Sequence, residues 1–175
     1  LFGVIFSHQL RRKFYMEKKI TEIKLPEGKF VTQLQFFDER DKKTLRNIYD
    51  NWVDLSNKLQ MYGGRRINLP ELISEATFCM NFNAGRMIKS IAKANSSFDC
   101  YDLKGQKRIQ VKACSVESDL TSFGPDSQWD EIYFIHFFPN KKYDGTYRIY
   151  LIPNSLIYNH KVNANQTMKQ QQELN

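Results

Sequence analysis

The sequence has few cysteines, and this scarcity excludes two kinds of small-protein scaffold. Only Cys79, Cys100 and Cys114 occur in 175 residues, and no two of them form a CxxC pair. An odd number of widely spaced cysteines suits neither a disulfide framework nor a structural zinc site. We therefore expect a fold built on a hydrophobic core, in a reducing cytoplasm.

Long apolar runs are also missing. No apolar segment reaches the roughly 18 residues that a membrane-spanning helix needs. The apolar opening of the chain precedes a basic segment, which reverses the order found in a signal peptide. The sequence therefore predicts neither a membrane span nor a targeting segment. Because the stretch MEKKITEIKLPEGKF from Met16 looks like a natural protein start, our hypothesis is that residues 1–15 are an upstream translated extension.

Length and composition predict one domain. Hydrophobic residues make up 41% of the chain, which is ordinary globular usage and enough for one core. We expect an N-terminal extension over residues 1–29, partly non-native or flexible, and a single domain over residues 30–160. Residues 161–175, rich in Gln and Asn, are expected to form a tail or a partial helix.

The positive charge is concentrated in two segments. The net charge is +7, and residues 86–112 hold seven Lys or Arg against two Asp, while residues 1–29 hold seven against three Glu. We interpret the first of these clusters as a surface that attracts an anionic backbone around a candidate active site. A solvated basic surface is the alternative.

Hydrophobic spacing predicts two helices followed by strands. The first helix spans about residues 38–62, with Asp38 or Asp41 as its cap and Gly63-Gly64 after its end. The second begins at Asn68-Leu69-Pro70, with Asn68 as cap, and continues to about Ala94 with a break near Gly85. The predicted strands are Phe98–Leu103, Arg108–Val116, Asp130–Phe138 and Tyr147–Ile152. This order predicts an α+β domain, with a mixed β-sheet core and flanking helices.

The hairpin around residues 104–107 gathers residues suited to metal chemistry. Alternate strand residues share a face, so Gln110 and Lys112 point the same way. A two-residue loop, which hairpins favour, places Asp99 on that face in either register. A three-residue loop would bring Asp102 there instead. Asp99 is the preferred candidate, and Asp102 remains the alternative.

Such a face suits phosphodiester hydrolysis assisted by Mg²⁺. A carboxylate and carbonyl oxygens hold a hard divalent ion, and a lysine beside it can orient water or offset negative charge. Glu75, on the preceding helix, can supply a second carboxylate. The alternative is an amphipathic hairpin with one hydrated face, because the D-x(n)-Q-x-K pattern alone is weak.

The two strands also carry a resemblance. SSFDCYD followed by RIQVKACSV resembles the core of the PD-(D/E)xK nucleases. The longer run from ISEATFCMNF through SFGP to WDEIYFIHFF is similar to a small family of type II restriction endonucleases that read GCNGC. The resemblance covers roughly residues 45–158 and implies a restriction-endonuclease-like fold.

The resemblance also implies roles for the residues of the hairpin. Asp99 would be a metal ligand, Lys112 the catalytic lysine and Glu75 an accessory carboxylate. Gln110 stands where an Asp or Glu is commoner, which offers a carbonyl oxygen but no charge. The backbone carbonyl of Val111 would be a further metal ligand.

Several other residues are candidates for contacts with DNA. Arg65 and Arg66 could read guanine or hold phosphates, and a solvated basic turn is the equal alternative. The polar loop over residues 117–128 is suited to reading base edges, although it could be a simple connector. The remaining candidates are Lys89 and Lys93 for phosphate, and Ser118, Asp119, Ser122 and Gln128 for bases.

These observations favour a Mg²⁺-dependent type II restriction endonuclease acting on double-stranded DNA. A palindromic target implies a homodimer, because the twofold symmetry of the protein would match that of the DNA. Two other functions remain open at this stage. One is a structure-specific nuclease of DNA repair or recombination, and the other is a non-catalytic nucleic-acid-binding module.

Overall fold

The computed structural model describes residues 16–91, 94, 97–114, 127–161, 164–165 and 167. The first half of the described chain contains β1 (Glu17–Leu25), β2 (Gly28–Phe36), α1 (Glu39–Met61), α2 (Glu71–Phe82) and β3 (Gly85–Met87). The second half contains β4 (Cys100–Asp102), β5 (Lys107–Cys114), β6 (Glu131–His136), β7 (Arg148–Ile152) and α3 (Asn154–Tyr158). Among these helices, none has the length and apolarity needed to cross a membrane.

The seven strands form one sheet in the order of the chain, β1-β2-β3-β4-β5-β6-β7. All neighbouring pairs are antiparallel except β5 and β6, which are parallel. The prediction of an α+β fold with a mixed sheet and flanking helices is confirmed.

Helix α1 follows its predicted course. The side chain of Asp38 accepts a hydrogen bond from the Arg40 N–H (2.8 Å), and Asp41 accepts one in return from the Asp38 N–H (3.0 Å). This reciprocal arrangement satisfies two backbone donors that the first turn would otherwise leave open. The predicted cap at Asp38 is thus confirmed, and Asp41 is its partner rather than an alternative.

Helix α2 is shorter than predicted. It begins after Pro70 with no side-chain cap, so the expected role of Asn68 is wrong. It ends at Asn83, which adopts a left-handed conformation with φ 52°. The predicted continuation to Ala94 is also wrong, because residues 85–87 form β3. A side chain at Gly85 would collide with Leu34, so glycine permits this close approach of β3 to β2.

Different elements pack against the two faces of the sheet. Helices α1 and α2 cover one face, which we call the helix face, through a core that includes Trp52, Phe78, Ile109 and Val111. The opposite face carries a second apolar cluster at β1–β4 and a third at β6 with α3. Both tryptophans are buried, as expected for core residues.

The N-terminal hairpin corrects the predicted domain boundary. Residues 17–25, expected in an extension over residues 1–29, pair along their full length with β2. Ile23 and Leu25 are buried, and the Tyr101 hydroxyl donates to the Lys24 carbonyl (2.7 Å) and accepts from the Lys24 N–H (3.1 Å). The sheet therefore includes β1. Residues 1–15 lie outside the described chain.

The remaining strands lie where predicted, but they are shorter. The predicted Asp130–Phe138 strand is β6 (Glu131–His136), and Tyr147–Ile152 is β7 (Arg148–Ile152). The loop over residues 117–128 and the predicted tail fall largely outside the described residues.

A partly buried ion pair joins the starts of β5 and β6. The Arg108 guanidinium donates to both oxygens of Asp130 (2.8 and 3.1 Å), and the Arg108 backbone N–H donates to Oδ2 (2.7 Å). In return, the Asp130 N–H donates to the Arg108 carbonyl (2.9 Å). Burial opposes ionisation of Asp130, but the bonds from Arg108 outweigh it, and the pKa of Asp130 is lowered. This pair aligns the parallel strands that carry the candidate site.

We expect Asp130→Asn to reduce the free energy of unfolding by about 1–2 kcal/mol at pH 7, a value discounted because Asp130 is partly exposed. The lowered pKa means that the contribution is complete above the ordinary carboxyl pKa of 3.8 and is lost as pH falls through the folded pKa. Urea unfolding of wild type and variant should therefore converge at acid pH.

Asp54→Asn is the matched control, because the Asp54–Lys58 pair is exposed on α1 (2.7 Å) and should contribute little. Equal destabilisation by the two substitutions at pH 7 would contradict a special role for Asp130.

Candidate active site

In the β4–β5 hairpin, the same strand residues share a face as predicted, but the turn has a different length. Cys100 pairs with Ile109 and Asp102 with Lys107, so the loop has four residues, Leu103–Gln106. The predicted two-residue loop is wrong. Because two and four are both even, however, the strand residues keep the relative orientation that the shorter loop predicted.

Asp99 lies immediately before β4 and contacts β5 directly. Its Oδ2 accepts hydrogen bonds from the Gln110 side-chain Nε2 (2.6 Å) and from the Val111 N–H (2.7 Å). Asp102, the alternative candidate, instead accepts a bond from the Lys104 N–H (2.9 Å), inside the turn. The geometry therefore brings Asp99, rather than Asp102, to Gln110.

Gln110 and Lys112 share a face of β5, as the alternation predicted. Ile109 and Val111 face the helices, whereas Gln110 pairs with Ile132 and Lys112 with Phe134, on the opposite face. The positive charge of Lys112 acts on Asp99 and partly opposes the rise in its pKa that burial causes. These side chains therefore form one electrostatic unit at the start of β4.

Glu75 is the second carboxylate, and it comes from α2. It is 8% exposed, and its Oε2 forms an ion pair with Nε of Arg86 on β3. The Cys100 Sγ lies 3.9 Å from the Glu75 carbonyl oxygen, which places this turn of α2 over the start of β4. Glu75 thus approaches Asp99 from the helix face of the sheet.

Both carboxyl groups are costly to ionise where they lie. Burial first, and then the charge of Asp99, raises the pKa of Glu75 to about 7, although Arg86 opposes the shift. Burial likewise raises the pKa of Asp99 to about 6, against the Val111 hydrogen bond and the charge of Lys112. Glu71, one helical turn before Glu75, adds a further negative charge that acts on both groups. A cation would relieve this repulsion.

The donor atoms fit a hard divalent ion. The Oε1 of Gln110 is buried with no hydrogen-bond partner in the described part of the chain, so a carbonyl oxygen is available beside Asp99. In a strand, the N–H and C=O of one residue point to the same side. The Val111 carbonyl therefore lies on the same side as the N–H that binds Asp99. Within the described ranges, no three His, Cys, Asp or Glu side chains form a metal cluster.

The proposed DNA contacts are brought together only in part. The Arg66 guanidinium stacks on Tyr143 (4.0 Å to the ring centroid) and donates to Asn57 and Gln60, which gives it structural partners in place of a free surface. Gln128 accepts a bond from Arg108 (3.3 Å). Arg65 and Lys89 are exposed. The candidates Lys93, Ser118, Asp119 and Ser122 lie outside the described residues.

Two residues of the cluster were missed from the sequence. Glu71 stands four residues before Glu75 on the same helical face, and this spacing could have indicated it. Arg86 was not identified because its segment was predicted to be helical. A strand of three residues is too short to show the alternation of apolar and polar residues that identifies a strand. The basic cluster over residues 86–112 is also less available than expected, because Arg86, Lys107 and Arg108 all form ion pairs.

Comparisons with known proteins relate the chain to restriction endonucleases. The profile of the Bsp6I restriction endonuclease family matches residues 37–175. The chain is similar to the type II restriction enzyme Bsp6I of Bacillus sp. strain RFL6, with 33% identity over 90 residues. That match covers 50% of this chain and 47% of the relative, so it spans about half the length of each. No solved structure matches the chain significantly.

We expect Asp99→Asn to weaken binding of Mn²⁺, measured by titration calorimetry without DNA, by at least about 10-fold, which even the loss of an outer-shell partner can cost. Asp102→Asn is the matched control, because it removes the same charge three residues away and should leave affinity nearly unchanged. The reverse ranking would assign the metal to Asp102.

Proposed function

Because the chain belongs to the Bsp6I restriction endonuclease family, we propose that it is a type II restriction endonuclease that cleaves double-stranded DNA with Mg²⁺, through a site of the PD-(D/E)xK kind. The observation that carries the proposal is the bond between Asp99 and Gln110, with Lys112 acting on the same carboxylate. The acid and the amide are thus in direct contact, and the charge of the ammonium group acts on the acid.

Each group has a role in this proposal. Asp99, the Gln110 side-chain oxygen and the Val111 carbonyl would hold the ion, with Glu75 as the second carboxylate. A bound Mg²⁺ supplies Lewis acidity, which polarises a phosphate oxygen and makes water more acidic. Lys112 offsets the negative charge that develops on the phosphorus oxygens and orients the attacking water. The Val111 N–H fixes Asp99 against β5 and so sets the position of the site.

The target and assembly belong to the same proposal. We propose GCNGC as the target, on the resemblance of the segments around α2, β5 and β6. A palindrome of this kind is matched by a homodimer, because the twofold symmetry of the protein would coincide with that of the DNA. Arg65, Lys89, Gln128 and the loop over residues 117–128 are the proposed contacts with DNA. Cys79, Cys100 and Cys114 are buried and form no disulfide, which supports a cytoplasmic location.

Digestion of a long DNA with Mg²⁺ tests the activity. We expect discrete fragments whose sequenced ends identify one recurring site, GCNGC, and no cleavage after chelation of the metal. Cuts confined to branched junctions would instead support a repair nuclease. Binding without any cleavage would support a non-catalytic module and refute the enzyme.

We expect Lys112→Ala to lower the cleavage rate by at least about 100-fold, the scale seen when one electrostatic stabiliser of a transition state is removed. Binding of a duplex in Ca²⁺, measured by fluorescence anisotropy, should be largely retained. Lys104→Ala, which removes an exposed lysine from the turn of the same hairpin, is the control and should cleave normally. Equal activity of both variants would remove Lys112 from the site.

A further inference from the structure

One face of the β1–β2 hairpin is left bare by the helices. Burial alternates over the second half of β1, where Ile23 and Leu25 are buried while Glu22 and Lys24 are exposed, and Ile20 on the face of Glu22 and Lys24 is also exposed. Val31 on β2 is 69% exposed on the same side as Ile20. This bare face is a continuation of the helix face, on which Glu75 lies. The hairpin therefore extends the sheet beyond α1 and α2 as an open flank of the candidate site.

A row of polar side chains crosses this flank and leads to the site. Lys18 pairs with Gln35, Gln35 with Arg86, and Arg86 with Cys100, so their side chains follow one another on the helix face across four strands. The Arg86 Nη1 donates to Gln35 (3.3 Å), and its Nε is bound to Glu75. Arg86 is thus shared between the active-site cluster and the row.

The row lines a groove of about 800 Å³ with a positive balance. Three cations and one carboxylate line it, and its lining residues are Met16, Glu17, Lys18, Gln35, Arg40, Arg86 and Ile88. Glu17 is paired with Lys19 (3.2 Å), which reduces its negative charge in the groove. Arg40 binds Asp38 through its Nε edge (2.9 and 3.1 Å) and through Nη2. Lys18 and the outer edge of Arg86 remain the leading anion-binding groups.

We propose that this groove binds the phosphate backbone of DNA next to the bond that is cut, with Lys18 and Arg86 as its phosphate contacts. The proposal rests on the proposed function, that the chain acts on DNA. The positive charge of the groove complements the negative charge of a phosphate backbone. The groove is also continuous with the carboxylate cluster, because Arg86 lines it and binds Glu75. A guanidinium held by a carboxylate at Nε still presents Nη donors to a phosphate oxygen. Gln35 keeps that edge turned toward the groove.

Arg86 also has a positioning role in this arrangement. It holds the Glu75 carboxylate from one side while its other edge faces the groove, so the DNA strand in the groove and the acid in the site share one rigid connection. Arg86→Lys preserves the charge but not the planar fork, and it cannot hold both partners in the same geometry. We expect this variant to keep the salt dependence of DNA binding while its cleavage rate falls more than its affinity.

The salt dependence of binding tests the groove. Anisotropy of a labelled duplex carrying GCNGC is measured in Ca²⁺ at several KCl concentrations, for the full chain and its variants. Each phosphate contact adds about 0.9 to the slope of log K against log salt. We expect Lys18→Gln to reduce the slope by about 0.9. Lys43→Gln is the matched control, because it makes the same charge change at an exposed lysine of α1 that does not line the groove.

The outcomes separate the groove from the enzyme. A smaller slope for Lys18→Gln than for Lys43→Gln supports the groove, whether or not the DNA is cut. Equal slopes for wild type and both variants, or an equal decrease in both variants, would overturn it, even if cleavage at a specific site is found. Lys18 is exposed, so unchanged thermal unfolding should confirm that the variant is folded.

Discussion

The structure of the candidate site depends on the hydrogen bonds that tie the Asp99 carboxylate to β5. A carboxylate moved from water to a protein interior is costly unless its oxygens are bonded. Here one oxygen receives both the Val111 N–H and the Gln110 amide. The backbone bond is fixed by the strand, so Asp99 cannot move without breaking the end of the β4–β5 pairing. Because the Gln110 nitrogen is used in this way, its oxygen is left without a partner among the described residues. The same contact therefore positions the acid and presents a neutral ligand beside it.

The balance of charge around Asp99 explains why the cluster is suited to a cation. The charges of Asp99 and Glu71 act on Glu75, and the charge of Glu71 acts on Asp99, while Arg86 and Lys112 provide the opposing charges. The cations do not fully offset burial and the neighbouring negative charges, so the pKa values of Glu75 and Asp99 stay raised. Arg86 stabilises Glu75 in the folded chain, and Lys112 acts mainly on Asp99. The fold therefore brings two carboxyl groups, Glu75 on α2 and Asp99 before β4, close enough for the charge of Asp99 to act on Glu75.

The sequence was informative where periodicity is long and uninformative where strands are short. Helix α1 was predicted almost to the residue, because the spacing from Leu45 to Leu59 and the cap at Asp38 are both local signals. The face shared by Asp99, Gln110 and Lys112 was also predictable, because any loop with an even number of residues keeps the same residues of the two strands on one face. Strand β3 has three residues and was taken for helix, so Arg86 was missed. Strand β1 was taken for a charged extension because one of its faces is exposed, and its charged residues hid the alternation of Ile23 and Leu25.

The Gln110 amide, which departs from the commoner acid, is consistent with this charge balance. A carboxylate at the same position would lie against the buried Asp99, and two like charges in contact raise the cost of ionising either group. It would also lack the Nε2 donor that now binds Asp99 (2.6 Å). The amide therefore stabilises the acid in the absence of a cation, whereas a glutamate would need a cation to be stable there. The cost is a weaker ligand, since an amide oxygen carries no formal charge. Glu75 compensates from the helix face, and this places the second charge of the site on α2 rather than on β5.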